Sequence, residues 1–149
     1  MDLERQNPAA AHWSREQYEG LFVATSSQER SERFALVVED GGAQPEKFSS
    51  EAPAILAFLV GHRVDAEWEL ENIVVAETAR RRGVGTCLLS EFVAHARAEQ
   101  GSSIFLEVRK SNQSARALYG RMGFEEAGLR KNYYASPAED AVRYSLSFC

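Results

Sequence analysis

The sequence predicts one α/β domain built on a mixed, mostly antiparallel central sheet flanked by helices. Three observations carry that prediction. At 149 residues the chain fits a single domain, large enough to bury about two-thirds of the surface its unfolded form exposes. Short apolar blocks of strand length recur along it. Two segments between them, opening near Gly83 and near Asn112, place apolar residues at the spacing of a helix that faces a core. No repeat or internal linker divides the chain, so these elements belong to one packed unit.

Residues 1–12 show no periodicity and read as a loose lead-in, with the domain running over 13–149. In WSREQYEGLFVA, Ser14 followed by Gln17 forms a capping-box pattern, after which Trp13, Tyr18, Leu21 and Phe22 line one face. RFALVVED reads as a strand, and GGAQPEKFSSEAP as a loop long for a hairpin connection. AILAFLVGHRV and WELENIVVA read as two further strands, with Ile73, Val74 and Val75 a run buried on both faces. From Gly83 to about Glu99 a helix turns Leu88, Leu89, Phe92, Val93 and Ala96 inward and stops at Gly101. Cys87 falls on its apolar side and reads as a small core residue. In SIFLEVR, Ile104, Leu106 and Val108 alternate with Phe105, Glu107 and Arg109. Asn112 or Ser111 caps a second helix that bears Ala115, Leu118, Tyr119 and Met122 and ends at Gly123. FEEAGLRKNYYA and DAVRYSLSF close the sheet as a pair of strands.

A net charge of -5 argues against direct nucleic-acid binding, which relies on an excess of Lys and Arg. Cys87 and Cys149 are the two cysteines. Neither stands in a CxxC or Cys/His ligand spacing, so neither a disulfide framework nor a metal site is expected. No apolar run approaches eighteen residues and the N-terminus has no hydrophobic signal core, which predicts a soluble, cytoplasmic protein with no membrane partner.

The densest positive cluster lies in RRRGVGTCLL, where Arg80, Arg81 and Arg82 precede Gly83, Val84, Gly85 and Thr86 at the mouth of a helix. Strand, Gly-x-Gly turn and helix in that order bring free N–H groups and the helix dipole to an anion. Neither nucleotide motif fits. No Lys follows the glycines as a P-loop requires, and Leu88 occupies the third glycine position of a dinucleotide turn.

ARRRGVGTCLL resembles the R/Q-x-x-G-x-G/A signature of the Gcn5-related N-acetyltransferases. The resemblance continues through NIVV, FLEVRKSNQSARALYGRMGF and RKNYY, a longer pattern similar to the RimI-type enzymes that acetylate the N-terminal alanine of a small-subunit ribosomal protein. It implies acetyl-coenzyme A as acetyl donor, with its pyrophosphate held by Arg80–Thr86. Further cofactor contacts are implied at the backbone of Ile73, Val74 and Val75, at Asn112 and at Tyr119. It also implies an acceptor groove formed in part by RKNYY, with Arg109, Tyr133 and Tyr134 contacting the peptide N-terminus. The family usually carries a strand and helix ahead of the segment that begins at Trp13. Too few residues precede Trp13 to build both, which leaves open whether this domain lacks them.

Acetyl transfer needs a neutral amine, a thioester held in reach and a proton for the departing thiolate. Glu107 is the candidate base: an isolated carboxylate beside so apolar a strand has its pKa raised, which suits proton abstraction near neutrality. The competing reading is that Glu107 pairs with Arg109 or lies at a solvated sheet end. Tyr119 is the candidate acid. A phenol titrates near about 10 and a thiol near about 8.5, so full proton transfer is uphill unless the site lowers the phenol. The resemblance assigns the same roles to both. An α-amine titrates near about 8, and an appreciable fraction is already neutral at cytoplasmic pH. Two alternatives stay open: an acetyltransferase for a small amine or a lysine side chain, and a non-catalytic coenzyme A-binding module.

Overall fold

The computed structural model describes residues 14–19, 31–40 and 54–149, together with residues 3 and 6. The chain order is α1 (Arg15–Glu19), β1 (Ser31–Glu39), β2 (Ile55–Val64), β3 (Glu67–Val75), a 3-10 turn (Glu77–Ala79), α2 (Val84–Ala98), β4 (Ser103–Arg109), α3 (Gln113–Arg121), β5 (Glu125–Ala135) and β6 (Ala138–Ser147). One six-stranded sheet runs β1-β2-β3-β4-β6-β5. Among the described residues its only parallel neighbours are β3 and β4, and α2 provides the crossover that parallel strands require. This is the mixed, mostly antiparallel α/β sheet that the apolar blocks predict. The side chains of Trp13, Tyr18, Leu21 and Phe22 and the loop at 41–53 lie outside the described residues. Leu3, within the segment read as a lead-in, packs against Phe58, Val60 and Val74.

The core lies between the sheet and α2. Leu88, Leu89, Phe92, Val93 and Ala96 are all buried, against Leu59, Trp68, Leu70, Ile104 and Leu106. Burying a side chain of this size contributes about 1.5–3 kcal/mol. Phe92 meets Trp68 edge-on at 6.0 Å and stacks on Phe34 at 5.7 Å. Cys87, by contrast, is exposed. The apolar stripe of α2 is narrower than the sequence suggests, and Cys87 falls outside it.

α2 ends at Ala98 with Glu99 as its C-cap, and Gly101 closes it while serving a second task. The left-handed residue after the helix is Gln100 (φ 58°), while the Gly101 N–H donates to the Ala96 carbonyl at 2.9 Å in a Schellman closure. A Cβ on Gly101 would lie 2.7 Å from the Trp68 Nε1 atom and 2.8 Å from the Ala96 oxygen. Gly101 is glycine because the Trp68 indole packs directly on its backbone.

One irregularity sets the function-bearing face. Val60 pairs with Asn72 and Gly61 with Leu70, so Glu71 is an extra residue in β3. Such a bulge reverses the alternation of the strand. Before it, Trp68 and Leu70 face the helices. After it, Ile73 and Val75 pack on that core, while Val74 turns to the opposite face beside Phe58 and Val60. The run 73–75 therefore does serve both faces, with Val74 fully buried and its neighbours partly so.

Candidate active site

The site forms where the sheet comes apart. The parallel ladder of β3 and β4 pairs Glu67 with Ser103 and ends at Leu70 with Leu106. Beyond it β3 stays with β2 through Val75, and β4 stays with β6 through Arg109. The two strands thus follow different neighbours, and an opening separates them. Glu107 is the first β4 residue past the last pair. Residues 71–75 border the opening with backbone groups that have no strand partner on that side.

The start of α2 lies at the same end. Gly83 is its N-cap, in the left-handed region (φ 81°), and no side chain caps the helix. Its first N–H groups are free of any capping side chain and carry the positive end of the dipole. A Cβ on Gly85 would sit 3.5 Å from the Val75 side chain and 3.6 Å from Leu118, so this turn lies between the end of β3 and α3. Arg81 and Arg82 are exposed beside it, with Arg81 also left-handed at φ 58°. Arg80 turns back instead, its Nε donating to the Val75 carbonyl at 3.2 Å. An anion of phosphate type fits this arrangement, with Gly83 through Thr86 as backbone donors and Arg81 and Arg82 as cations.

Across the sheet, Phe105, Glu107 and Arg109 alternate with the helix-facing Ile104, Leu106 and Val108 and so point away from the helices. Glu107 is not isolated. Arg130 Nη1 donates to its Oε1 at 2.8 Å and Arg143 Nη2 at 3.4 Å, while the Tyr133 phenol is a further hydrogen-bond partner. The premise of an unpaired carboxylate fails here, and the partners are not the Arg109 that the sequence offered. Glu69 on β3 has its pKa raised. Burial is the main cause, with Glu71 and Glu107 adding repulsion and Arg33 and Arg143 opposing it. Sequence reasoning passed over Glu69 and Arg143, and took in Arg130 only as part of RKNYY. The signal for Glu69 was there in WELENIVV, which spaces Glu67, Glu69 and Glu71 two apart on one strand face.

Arg109 is committed to the β5–β6 turn. Its guanidinium donates to the Pro137 and Ser136 carbonyls, each at 3.2 Å, reaches Glu139 at 3.4 Å, and stacks 4.0 Å over the Tyr134 ring. Tyr133 and Tyr134 meet edge to face at 5.1 Å. Burial pushes the Tyr134 phenol up to about 12 although Arg109 pulls it down.

Tyr119 faces the helix side of the opening, within the core. Its ring lies 5.9 Å from both Phe124 and Tyr144. Burial, reinforced by the nearby Tyr134, raises its phenol far above the usual tyrosine value. The site therefore does the reverse of lowering it. Asn112, rather than Ser111, caps α3, its side chain accepting from the Ala115 N–H at 3.1 Å.

His62, Glu69 and Glu71 bring ligand-type atoms within 4.8 Å of one another. Glu71 is gripped by Arg33, whose Nε lies 3.0–3.1 Å from both carboxylate oxygens. A guanidinium thus supplies the cation at this cluster. Among the described residues, no helix is long and apolar enough to cross a membrane.

Comparison with known proteins bears on the fold and the family. The solved ribosomal-protein-S18-alanine N-acetyltransferase from Escherichia coli superposes with a TM-score of 0.72 over 98% of this chain and 83% of that one, at 29% identity. The [ribosomal protein bS18]-alanine N-acetyltransferase of Salmonella typhimurium is 40% identical over 92 residues, 60% of this chain and 62% of that protein. The N-alpha-acetyltransferase RimI of Mycobacterium tuberculosis is 39% identical over 82 residues, 55% of this chain and 50% of that protein. The matches thus span less than two-thirds of these curated relatives. The sequence profile of the acetyltransferase (GNAT) family matches residues 3–124, which take in the glycine turn, both long helices and the opening between β3 and β4: the chain belongs to the acetyltransferase (GNAT) family.

Proposed function

We propose that this protein transfers an acetyl group from acetyl-coenzyme A to a protein N-terminal α-amine, that of the N-terminal alanine of a small-subunit ribosomal protein, in the cytoplasm. The observation that carries the reading is the opening between β3 and β4, which has a cationic helix start on one side of the sheet and a carboxylate cluster on the other. Acetyl-coenzyme A supplies the activated acyl group when bound. The chain supplies position and proton management.

On the acceptor face, Glu107 and Glu69 attract the incoming ammonium, and Glu69 draws off its proton. Glu69, whose pKa is raised chiefly by burial, is shifted toward the range that suits proton transfer near neutrality. Glu107, tied to Arg130, Arg143 and Tyr133, orients the amine. On the helix face Tyr119 keeps its proton at any physiological pH. Its contribution to the departing thiolate is a hydrogen bond that strengthens as charge forms, rather than full proton transfer. Asn112 fixes the start of α3 and hence the position of Tyr119. Ile73–Val75 present their backbone to the arm of the donor, and Tyr133, Tyr134 and the Arg109 that stacks on Tyr134 border the acceptor.

The test offers acetyl-coenzyme A with peptides beginning Ala, Ser, Met or blocked Ala, and records thiol release. Release with free Ala and none with blocked Ala is expected. Equal release with blocked Ala peptides that contain lysine would move the assignment to side-chain amines, and no release with any amine would leave a binding module.

A further inference from the structure

The acceptor segment RKNYY does not lie in β5 as a regular strand. Arg130 pairs with Ala141 and the next pair is Tyr134 with Glu139, so three residues of β5 stand opposite the single residue Asp140. Asn132 occupies the left-handed region at φ 51°, which asparagine tolerates better than most side chains. The Asn132 N–H, unable to reach a strand partner, donates to Asp140 Oδ1 at 3.0 Å. The backbone carbonyl of Asp140 accepts from the Lys110 N–H at 3.1 Å, in the connection between β4 and α3. One residue thus ties the bulge to the segment that leads from Glu107 to Tyr119.

The bulge decides where the tyrosines go. Regular alternation would send Tyr133 and Tyr134 to opposite faces of the sheet. With the extra residues they lean together at 5.1 Å. Tyr133 bonds Glu107 beneath the Arg130 guanidinium, 4.4 Å above its ring. Tyr134 lies close enough to Tyr119 to raise its pKa.

We propose that Asp140 is a positioning residue for the acceptor: by accepting the Asn132 N–H, its carboxylate holds the β5 bulge in the one register that places Tyr133 and Tyr134 beside the reacting amine. The proposal deepens the N-terminal acetyltransferase reading and rests on it. The function of Asp140 requires an acceptor oxygen at that point and not a negative charge.

Three variants test it: Asp140→Ala, Asp140→Asn, which keeps the Oδ1 acceptor, and Asp140→Ser, whose shorter side chain falls short of Asn132. Asp140→Ala is expected to raise KM for the Ala-peptide about tenfold or more, with kcat changed less and acetyl-coenzyme A affinity unchanged. Asp140→Asn is expected to restore the wild-type KM to within about threefold. Should Asp140→Ala not fold, Asp140→Ser gives the same split. Amide exchange at Asn132 and Tyr133, read without any substrate, should accelerate in Asp140→Ala and Asp140→Ser but not in Asp140→Asn. An unchanged peptide KM in both shortened variants overturns the proposal, as does a parallel loss of acetyl-coenzyme A affinity or an Asp140→Asn variant as impaired as Asp140→Ala. If wild type acetylates no peptide, the functional reading fails, and the exchange pattern alone then decides whether Asp140 holds the bulge.

Discussion

Around Gly83 the groups offered to a ligand come from consecutive residues, 81–86, and most of them are backbone. Around Glu107 they are side chains gathered from β3, β4, β5 and β6, held by Arg130, Arg143 and Tyr133. The first half is local and strong because a helix start presents its N–H groups whatever lies beyond it. The second is a cross-strand network, and it exists only if four strands keep register. The donor side should therefore fail abruptly to a change of backbone, and the acceptor side gradually, one charge or hydroxyl at a time.

The largest expected effect breaks the donor side. Gly83→Val forces a β-branched residue into φ 81°, a strain of about 1–3 kcal/mol, and together with Gly85→Val it crowds the face where a phosphate would sit. Acetyl-coenzyme A should no longer raise the melting temperature of the double variant, whereas wild type should gain about 2.7 kcal/mol at a hundredfold excess over Kd. An undiminished shift would remove the turn from the site.

Next comes the carboxylate pair on the acceptor side. Glu69→Gln and Glu107→Gln should each lower kcat/KM by about 10²-fold near neutrality while leaving acetyl-coenzyme A binding intact. Raising the pH should recover part of the rate for Glu69→Gln, because more amine is then neutral without help. Glu107→Gln should recover less, since its loss is one of orientation. Equal recovery in both would erase the division of labour between them.

Tyr119→Phe tests the side facing the core. About 10²-fold should be lost from kcat, the scale of one hydrogen bond to developing charge, with little change in the melting temperature. The gap from wild type should narrow with thioesters of more acidic thiols, and a constant gap would leave Tyr119 as packing alone.

The smallest effect concerns stability. Glu69 is raised in the fold, so what it contributes is present below the ordinary carboxylate value and lost as pH rises through its folded pKa. Glu69→Gln should accordingly melt higher than wild type at pH 7, by about 1–2 °C given its partial exposure, and equal to it near pH 4. Glu139, lowered chiefly by its hydrogen bonds to Ser111, has the opposite sign: Glu139→Gln should melt lower at pH 7, and the difference should vanish in acid. Calorimetry across that range checks both.

Strand and helix positions were legible because alternation and the 3.6-residue stripe are local signals. The glycine turn was legible for the same reason, since its chemistry lies in adjacent residues. Cys87 was misread because a helical stripe shows which side is apolar but not where the neighbouring strands stop covering it. Glu107 was found by its place on an apolar strand, yet its partners were not, because Arg143 reaches it across one strand pairing and Arg130 across two. Glu69 escaped because its environment is made by Glu71, Glu107, Arg33 and Arg143, drawn from four different strands.

The sequence by itself determined the α/β alternation, the uncapped glycine start of α2 and the placement of Glu107 and Tyr119 on adjacent elements. Tertiary structure decided which side of the sheet each group serves. The extra residue Glu71 reverses the alternation of β3, the ladder to β4 ends at Leu106, and Asp140 gathers the β5 bulge beneath two tyrosines. Each depends on register between strands far apart in the chain. That register is set by which faces can be buried together, a property of the packed sheet that no single segment carries.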